Sequence, residues 1–430
     1  MPSNREVWRI SAPMILSNLS VPLVGMVDTG VMGHLDSAVY LGAIALGGAI
    51  FTFLYTGMNF LRMGTTGIAA QQYGAADYDG LRATLGQALI VSFAIALVIL
   101  LLQVPIADLG LLLLGGDESA RAHAAAYFSV RVWSAPATLA NYVLIGWFLG
   151  LQNARIPLAI FLIINVTNML LDLLFVLVLE MKSEGVALAS VIAEYTALAF
   201  GLVCTARILR FRQGYWDFTR LLKLSAYKVF FSVNSHLFIR TMALMFALGF
   251  VTAQGARLGP TILAANAVLM NFQYLTSLGL DGIAHAAEAM VGKAVGKGDK
   301  RILQQTVSLT LKWSLLFAVG FTVVYLVAGP LIIRILTDLP DVRAAAMTYL
   351  PWLILSPLVA VWCFLYDGVY VGMTRTREMR NIMLFSTFAV FLPVWFVTQA
   401  FGNHGLWLAF LAFLASRGVG MHIGYRRKRW

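Results

Sequence analysis

Six acids lie inside long apolar stretches of this chain: Asp28, Asp172, Glu194, Asp281, Glu288 and Asp367. Burying a charge in hydrocarbon is costly, so ionisable residues there are candidates for handling protons, ions or charged solutes. Asp172 follows Asn168 by one helical turn, which points both side chains the same way. No basic residue lies near Asp28 or Asp172 within their stretches. Two carboxylates without a counter-cation suffer desolvation and mutual repulsion, and both are relieved by taking up a proton, a small cation or a cationic solute. The plain alternative is static glue, with the acids satisfied by Asn168, Asn141 or hydroxyl groups. For Asp281, Glu288 and Asp367 an equally good reading is pairing with Arg240, the clearest buried cation, or with Lys312. Pro13 and Pro22, ahead of Asp28, each remove a backbone hydrogen bond and can kink a helix. One reading is purely architectural. The other is a bend whose angle follows the charge state of Asp28.

The elements that carry these residues follow from composition. Of 430 residues, 60% are hydrophobic and only 12% charged, against roughly 25% charged in a soluble domain. The apolar residues come in blocks of about twenty, the length that crosses a hydrocarbon core. Twelve such blocks lie near 7–32, 38–64, 83–107, 122–150, 157–179, 186–207, 226–252, 259–291, 303–326, 343–371, 382–401 and 405–424. The expected fold is an all-α integral membrane protein of two six-helix bundles: an N-lobe over 1–210, a cytoplasmic linker over 211–225 and a C-lobe over 226–430.

With the N-terminus in the cytoplasm, the even-numbered loops and both termini hold most of the 31 basic residues. The odd-numbered loops hold five: Arg121, Lys182, Arg257, Arg334 and Arg343. Arg62, Arg131, Arg240 and Lys312 fall within or at the edges of the blocks. This asymmetry puts both termini in the cytoplasm.

The net charge of +11 is spread over short inter-helix segments without the aromatic interleaving of a single-strand binder, so no nucleic-acid partner is expected. Cys204 and Cys363 sit in apolar blocks without a CxxC partner. The histidines show no metal-ligand spacing, and no GxSxG occurs. Gly292–Lys297 (GKAVGK) has the wrong spacing for a phosphate loop. Neither an enzyme nor a resident metal or cofactor is expected. The first apolar block has no cleavage site behind it and reads as a membrane helix rather than a removable signal.

The two halves resemble each other at a constant offset of 222 residues. Gly74 and Asp77 match Gly296 and Asp299, Arg121 matches Arg343, and Tyr127 matches Tyr349. Gly146-x3-Gly150-x4-Arg155 recurs as Gly368-x3-Gly372-x4-Arg377. Six segments per half make the copies enter the membrane in the same sense, a parallel repeat of the kind that rocks two bundles about a central site.

Residues 13–36 (PMILSNLSVPLVGMVDTGVMGHLD), the 64–77 stretch and the repeat resemble the multidrug and toxic compound extrusion (MATE) transporters. The strings VIAEY (191–195), NAVLM (266–270), WCFLYDG (362–368) and TREMRN (376–381) look like its DinF-type branch. The resemblance implies twelve helices in two lobes and export of drugs or toxins driven by inward H⁺ or Na⁺. It maps the family's N-lobe coupling network onto Asp28, Asn168, Asp172 and Ser190, with Asn141 nearby. Where other branches place a carboxylate in the seventh helix this chain carries Arg240, which favours H⁺ over Na⁺ as the coupling ion. The expected protein is thus a monomeric, proton-driven multidrug antiporter of the bacterial cytoplasmic (inner) membrane, in contact with lipids and small amphipathic or cationic drugs. A flippase for lipids or lipid-linked precursors, from the same superfamily, is the alternative; its phosphate-bearing substrates would call for a basic cavity.

Overall fold

The computed structural model describes residues 1–32, 38–115, 118–212 and 214–427, with backbone alone for 21–32, 38–41, 220 and 226. The side chains of Pro22 and Asp28 therefore lie outside what is described. Among the described residues every regular element is a helix.

The helices are α1 (Asn4–Met32), α2 (Ala38–Met58), α3 (Phe60–Gly74), α4 (Tyr78–Leu101), α5 (Gln103–Leu114), α6 (Glu118–Arg131), α7 (Ala135–Gly150), α8 (Arg155–Asp172) and α9 (Ser183–Phe211). A five-residue α10 (Phe218–Leu222) lies in the linker. There follow α11 (Lys228–Arg257), α12 (Pro260–Gly296), α13 (Lys300–Leu336), α14 (Pro340–Gly372), α15 (Thr376–Leu384), α16 (Leu392–Thr398) and α17 (Asn403–Arg427). Several expected blocks are composite: α2 with α3, α6 with α7, and α15 with α16 each form one span.

Among the described residues ten helical stretches are long and apolar enough to cross a membrane. The two other expected blocks are α1 and α12, which run 29 and 37 residues. Length suffices in both; α12 is made less apolar by Asp281, Glu288 and Lys293. The chain is a multi-pass α-helical membrane protein.

The chain forms two compact units. One is Leu16–Phe231; the other joins Met1–Ile15 to Ser232–Trp430. The sequence assigns residues 1–15 to the first half, but they cluster with the second. The reason is aromatic: Trp8 packs edge-on against Trp313 at 5.0 Å and against Phe317 at 5.8 Å, and Trp313 Nε1 donates to Asn4 Oδ1 at 3.0 Å. The handover falls two residues beyond Pro13, whose missing N–H leaves the carbonyl of Arg9 without its i+4 helix donor.

The 222-residue repeat extends to backbone detail. Asp77 and Asp299 each cap the following helix, accepting from Gly80 N at 2.8 Å and Ile302 N at 2.9 Å, the role acids fill at helix starts. Left-handed residues recur in register: Ala76 (φ 56°) with Gly298 (67°), Gln152 (64°) with Thr374 (53°), and Glu180 (53°) with Gly402 (56°). Each ends a helix or opens the following turn, so the same chain reversals are built twice.

Candidate functional site

In the unit Leu16–Phe231, α8 and α9 form an antiparallel hairpin. The facing positions Phe175–Gly185, Asn168–Ser190 and Ile160–Gly201 run in opposite order along the two helices. Asn168 and Asp172 are both buried, Asp172 completely. Asn168 Nδ2 donates to Ser190 Oγ at 3.1 Å across the hairpin. Directly after Asp172 the helix widens into a π-type turn over Leu173–Val178, a local distortion often found at functional positions.

The second half of α1 is tied to α8 by Asn165 Nδ2 donating to Ser20 Oγ at 2.6 Å, while Ser20 Oγ donates to Ser17 O at 2.7 Å. About two turns further along each helix stand Asp28 and Asp172. The side chain of Asp28 falls outside the described residues.

The structure places Asn141 one layer away from this group. Its Nδ2 donates to Glu194 Oε2 at 2.8 Å and to the Glu194 main-chain oxygen at 3.0 Å. Glu194 stands out in the sequence as a buried acid; that Asn141 on α7 serves it was not legible, since an asparagine's partner depends on how α7 rotates against α9. Around them Tyr55 and Ser134 share a hydrogen bond of 2.9 Å, and the Arg131 guanidinium lies over the Phe51 ring at 5.7 Å.

The unit containing Ser232–Trp430 carries a different constellation. Asp367 on α14 accepts from Arg240 on α11 in a very short contact, and from Arg417 Nη2 on α17 at 2.8 Å. Of the pairings open to Arg240 in the sequence, the structure selects Asp367. Arg417 is a correction: the sequence counts it with the cytoplasmic charges of the C-terminal end, yet it is only 4% exposed within α17. Its place four residues after Phe413, whose ring it covers at 5.3 Å, on an otherwise apolar helix was the available signal. Asp281 lies within electrostatic reach of both arginines. Glu288 is held within α12 by His285 Nδ1 at 3.4 Å.

These groups can be tested against the repeat. Asp172, Glu194 and Arg131 correspond at the 222 offset to Val394, Ser416 and Leu353; Arg240, Asp367 and Arg417 correspond to Asn18, Ile145 and Tyr195. The scaffold is duplicated and the charges are not. One unit holds the buried acids Asp172 and Glu194, the second served by the neutral amide of Asn141; the other holds a carboxylate clamped by two guanidiniums. Among the described residues no group of His, Cys, Asp and Glu has the arrangement of a metal site.

Comparison with known proteins agrees with this architecture. The sequence model of the MatE family matches residues 13–174 and 238–397. The chain is 42% identical over 425 residues to "DNA damage-inducible protein F" of Escherichia coli (strain K12), covering 99% of this chain and 92% of that protein. It is 22% identical over 427 residues to "Multidrug export protein MepA" of Staphylococcus haemolyticus (strain JCSC1435), covering 98% and 93%. The fold matches the crystal structure of a MATE protein in its bent conformation with a TM-score of 0.90 at 17% identity, over 98% of this chain and 95% of that one.

Proposed function

Since the chain belongs to the MatE family of transporters, we propose that it exports amphipathic and cationic organic compounds from the cytoplasm in exchange for inward protons. The observation that carries this reading is Asp172: a completely buried carboxylate on a membrane helix, one turn from Asn168, whose amide donates to Ser190. Support for the drug substrate comes from the multidrug export protein among its relatives.

In this mechanism Asp28 and Asp172 are ionised when they hold a cationic substrate. Protons arriving from outside neutralise them, the electrostatic attraction is lost, and the substrate leaves. Neutralisation also changes the hydrogen bonding around α1, which bends near Pro13 or Pro22. Discharge of the protons to the cytoplasm resets the site. This is exchange by differential affinity of two conformations, each ligand favouring one. The site lies in the bacterial inner membrane with both termini cytoplasmic, and H⁺ serves as coupling ion without a resident cofactor.

Arg240 and Arg417 are both committed to Asp367, so the C-terminal charges lend no support to a phosphate-binding flippase. They act as a fixed ionic tie between α11, α14 and α17.

The test is reconstitution in liposomes with an imposed pH gradient or, separately, an imposed Na⁺ gradient. Efflux of a cationic dye should follow the pH gradient and collapse in both Asp28→Asn and Asp172→Asn. Undiminished transport in the two variants, or dependence on Na⁺ alone, overturns the mechanism.

A further inference from the structure

We propose that Glu194 is a third proton-exchanging carboxylate of the Leu16–Phe231 unit, beside Asp28 and Asp172 and working in series with Asp172. This inference rests on the proton-exchange reading above and adds a station to it.

The geometry is a ladder across the α8–α9 hairpin. Asp172 stands one turn beyond Asn168; Asn168 donates to Ser190; Glu194 stands one turn beyond Ser190. Because the helices are antiparallel, the two acids lie on opposite sides of the Asn168–Ser190 contact. One turn of four residues on each helix separates them by about 12 Å along the hairpin. With the N-terminus cytoplasmic, Asp172 is the outer station and Glu194 the inner one. Ser190 Oγ accepts from Asn168, which leaves its own O–H to rotate between neighbours.

The contacts of Glu194 suit a group that changes charge. Its carboxylate is 9% exposed as a residue and is met by the amide of Asn141 at 2.8 Å. A neutral N–H can be accepted by an ionised or a protonated carboxyl alike, because one oxygen keeps its lone pairs while the other takes the proton. The second bond from Asn141, to the main-chain oxygen of Glu194, holds the amide in place whichever state the side chain is in. Asp367 is the opposite case, clamped by two guanidiniums.

The other titratable groups around Glu194 come from every helix packed on α9. Tyr55 comes from α2, Arg131 from α6, where Tyr127 lies against it, and Tyr142 from α7; on α8 the titratable residue is Asp172, beyond the Asn168–Ser190 contact. Arg131 acts on Glu194 through space without forming an ion pair with it among the described residues. Its Nη1 is buried and has no hydrogen-bond partner. A cation near Glu194 that forms no ion pair with it leaves the carboxyl unclamped, as an exchange site requires.

The experiment is a pH-difference infrared spectrum of the purified full-length protein in lipid nanodiscs, read in the carboxylic C=O region. Wild type should show a band that shifts when glutamate alone carries a ¹³C carboxyl, that is lost in Glu194→Gln, and that remains in Asp172→Asn and Glu288→Gln. The isotope shift reads the folded wild-type chain, so it stands even where a variant folds poorly. In liposomes Glu194→Gln should lose efflux of ethidium driven by a pH gradient. A difference spectrum with no glutamate band, or one unchanged in a folded Glu194→Gln, overturns the inference. A wild-type spectrum with the glutamate band but no aspartate band that disappears in Asp172→Asn sinks the exporter mechanism instead and leaves Glu194 as a proton site.

Discussion

The Cα of Gly146 on α7 rests against the main-chain carbonyl of Arg62 on α3, and any Cβ at that position would overlap the oxygen. Gly368 repeats the contact against the carbonyl of Ala284, and both partners stand 222 residues apart. The obstacle is backbone, so a larger residue forces two helices to separate. Gly146→Ala and Gly368→Ala should each lower stability in detergent by about 1–3 kcal/mol, the range for overpacking a filled interface. A control is Gly320→Ala on α13, where a Cβ meets nothing within 4 Å; this change should hold or raise the melting temperature, as alanine favours helix over glycine by about 1 kcal/mol. Equal melting temperatures for all three would refute the close approach.

Removing the acid from the Arg240–Asp367–Arg417 tie should hurt more than removing one base. Asp367→Asn strands two buried guanidiniums, and breaking a buried pair costs about 3–5 kcal/mol. Arg240→Gln leaves Arg417 still paired with Asp367. Thermal unfolding monitored by tryptophan fluorescence should rank Asp367→Asn well below Arg240→Gln; the reverse order would contradict the tie.

Arg82 fastens the end of α9. Its Nη2 donates to Leu209 O at 2.7 Å and to Arg212 O at 3.0 Å, satisfying carbonyls that a helix end leaves open. Arg82→Met should expose the chain beyond Phe211, so that trypsin cleaves after Arg210 or Arg212 faster than in wild type. Cleavage at the wild-type rate would show that the clasp holds nothing.

Much of the architecture was legible because membrane helices write their length and their loop charges directly into the sequence. The duplication was legible too, since glycines at close approaches and capping aspartates are dictated by backbone geometry, which the copies share. That Asp172 and Asn168 lie one turn apart on the same helix could be read from spacing alone. Partners between helices could not. Which amide reaches Glu194, and which base reaches Asp367, depends on the rotation of α7 and α17 about their axes, to which periodicity in an apolar helix is nearly blind. Arg417 escaped notice because its neighbours toward the C-terminus, Arg426 and Arg427, are ordinary end-of-helix charges.

A last expectation concerns the Asn168–Ser190 bond. Ser190→Ala removes the acceptor and strands a buried amide donor, costing about 1–3 kcal/mol. Pump assays should show pH-driven efflux weakened in Ser190→Ala and largely kept in Ser190→Thr, which preserves the hydroxyl. Equal activity in both would separate this bond from coupling.

The divided allegiance of α1 limits how the protein can be taken apart. A pair of genes split at the 211–225 linker would deliver one polypeptide carrying residues 1–15 that belong with the other product, and a second polypeptide lacking its Trp8 partner for Trp313. Co-expressed halves must therefore find each other before either is whole, whereas a polypeptide carrying residues 1–15 together with 232–430 would hold every segment of its own unit.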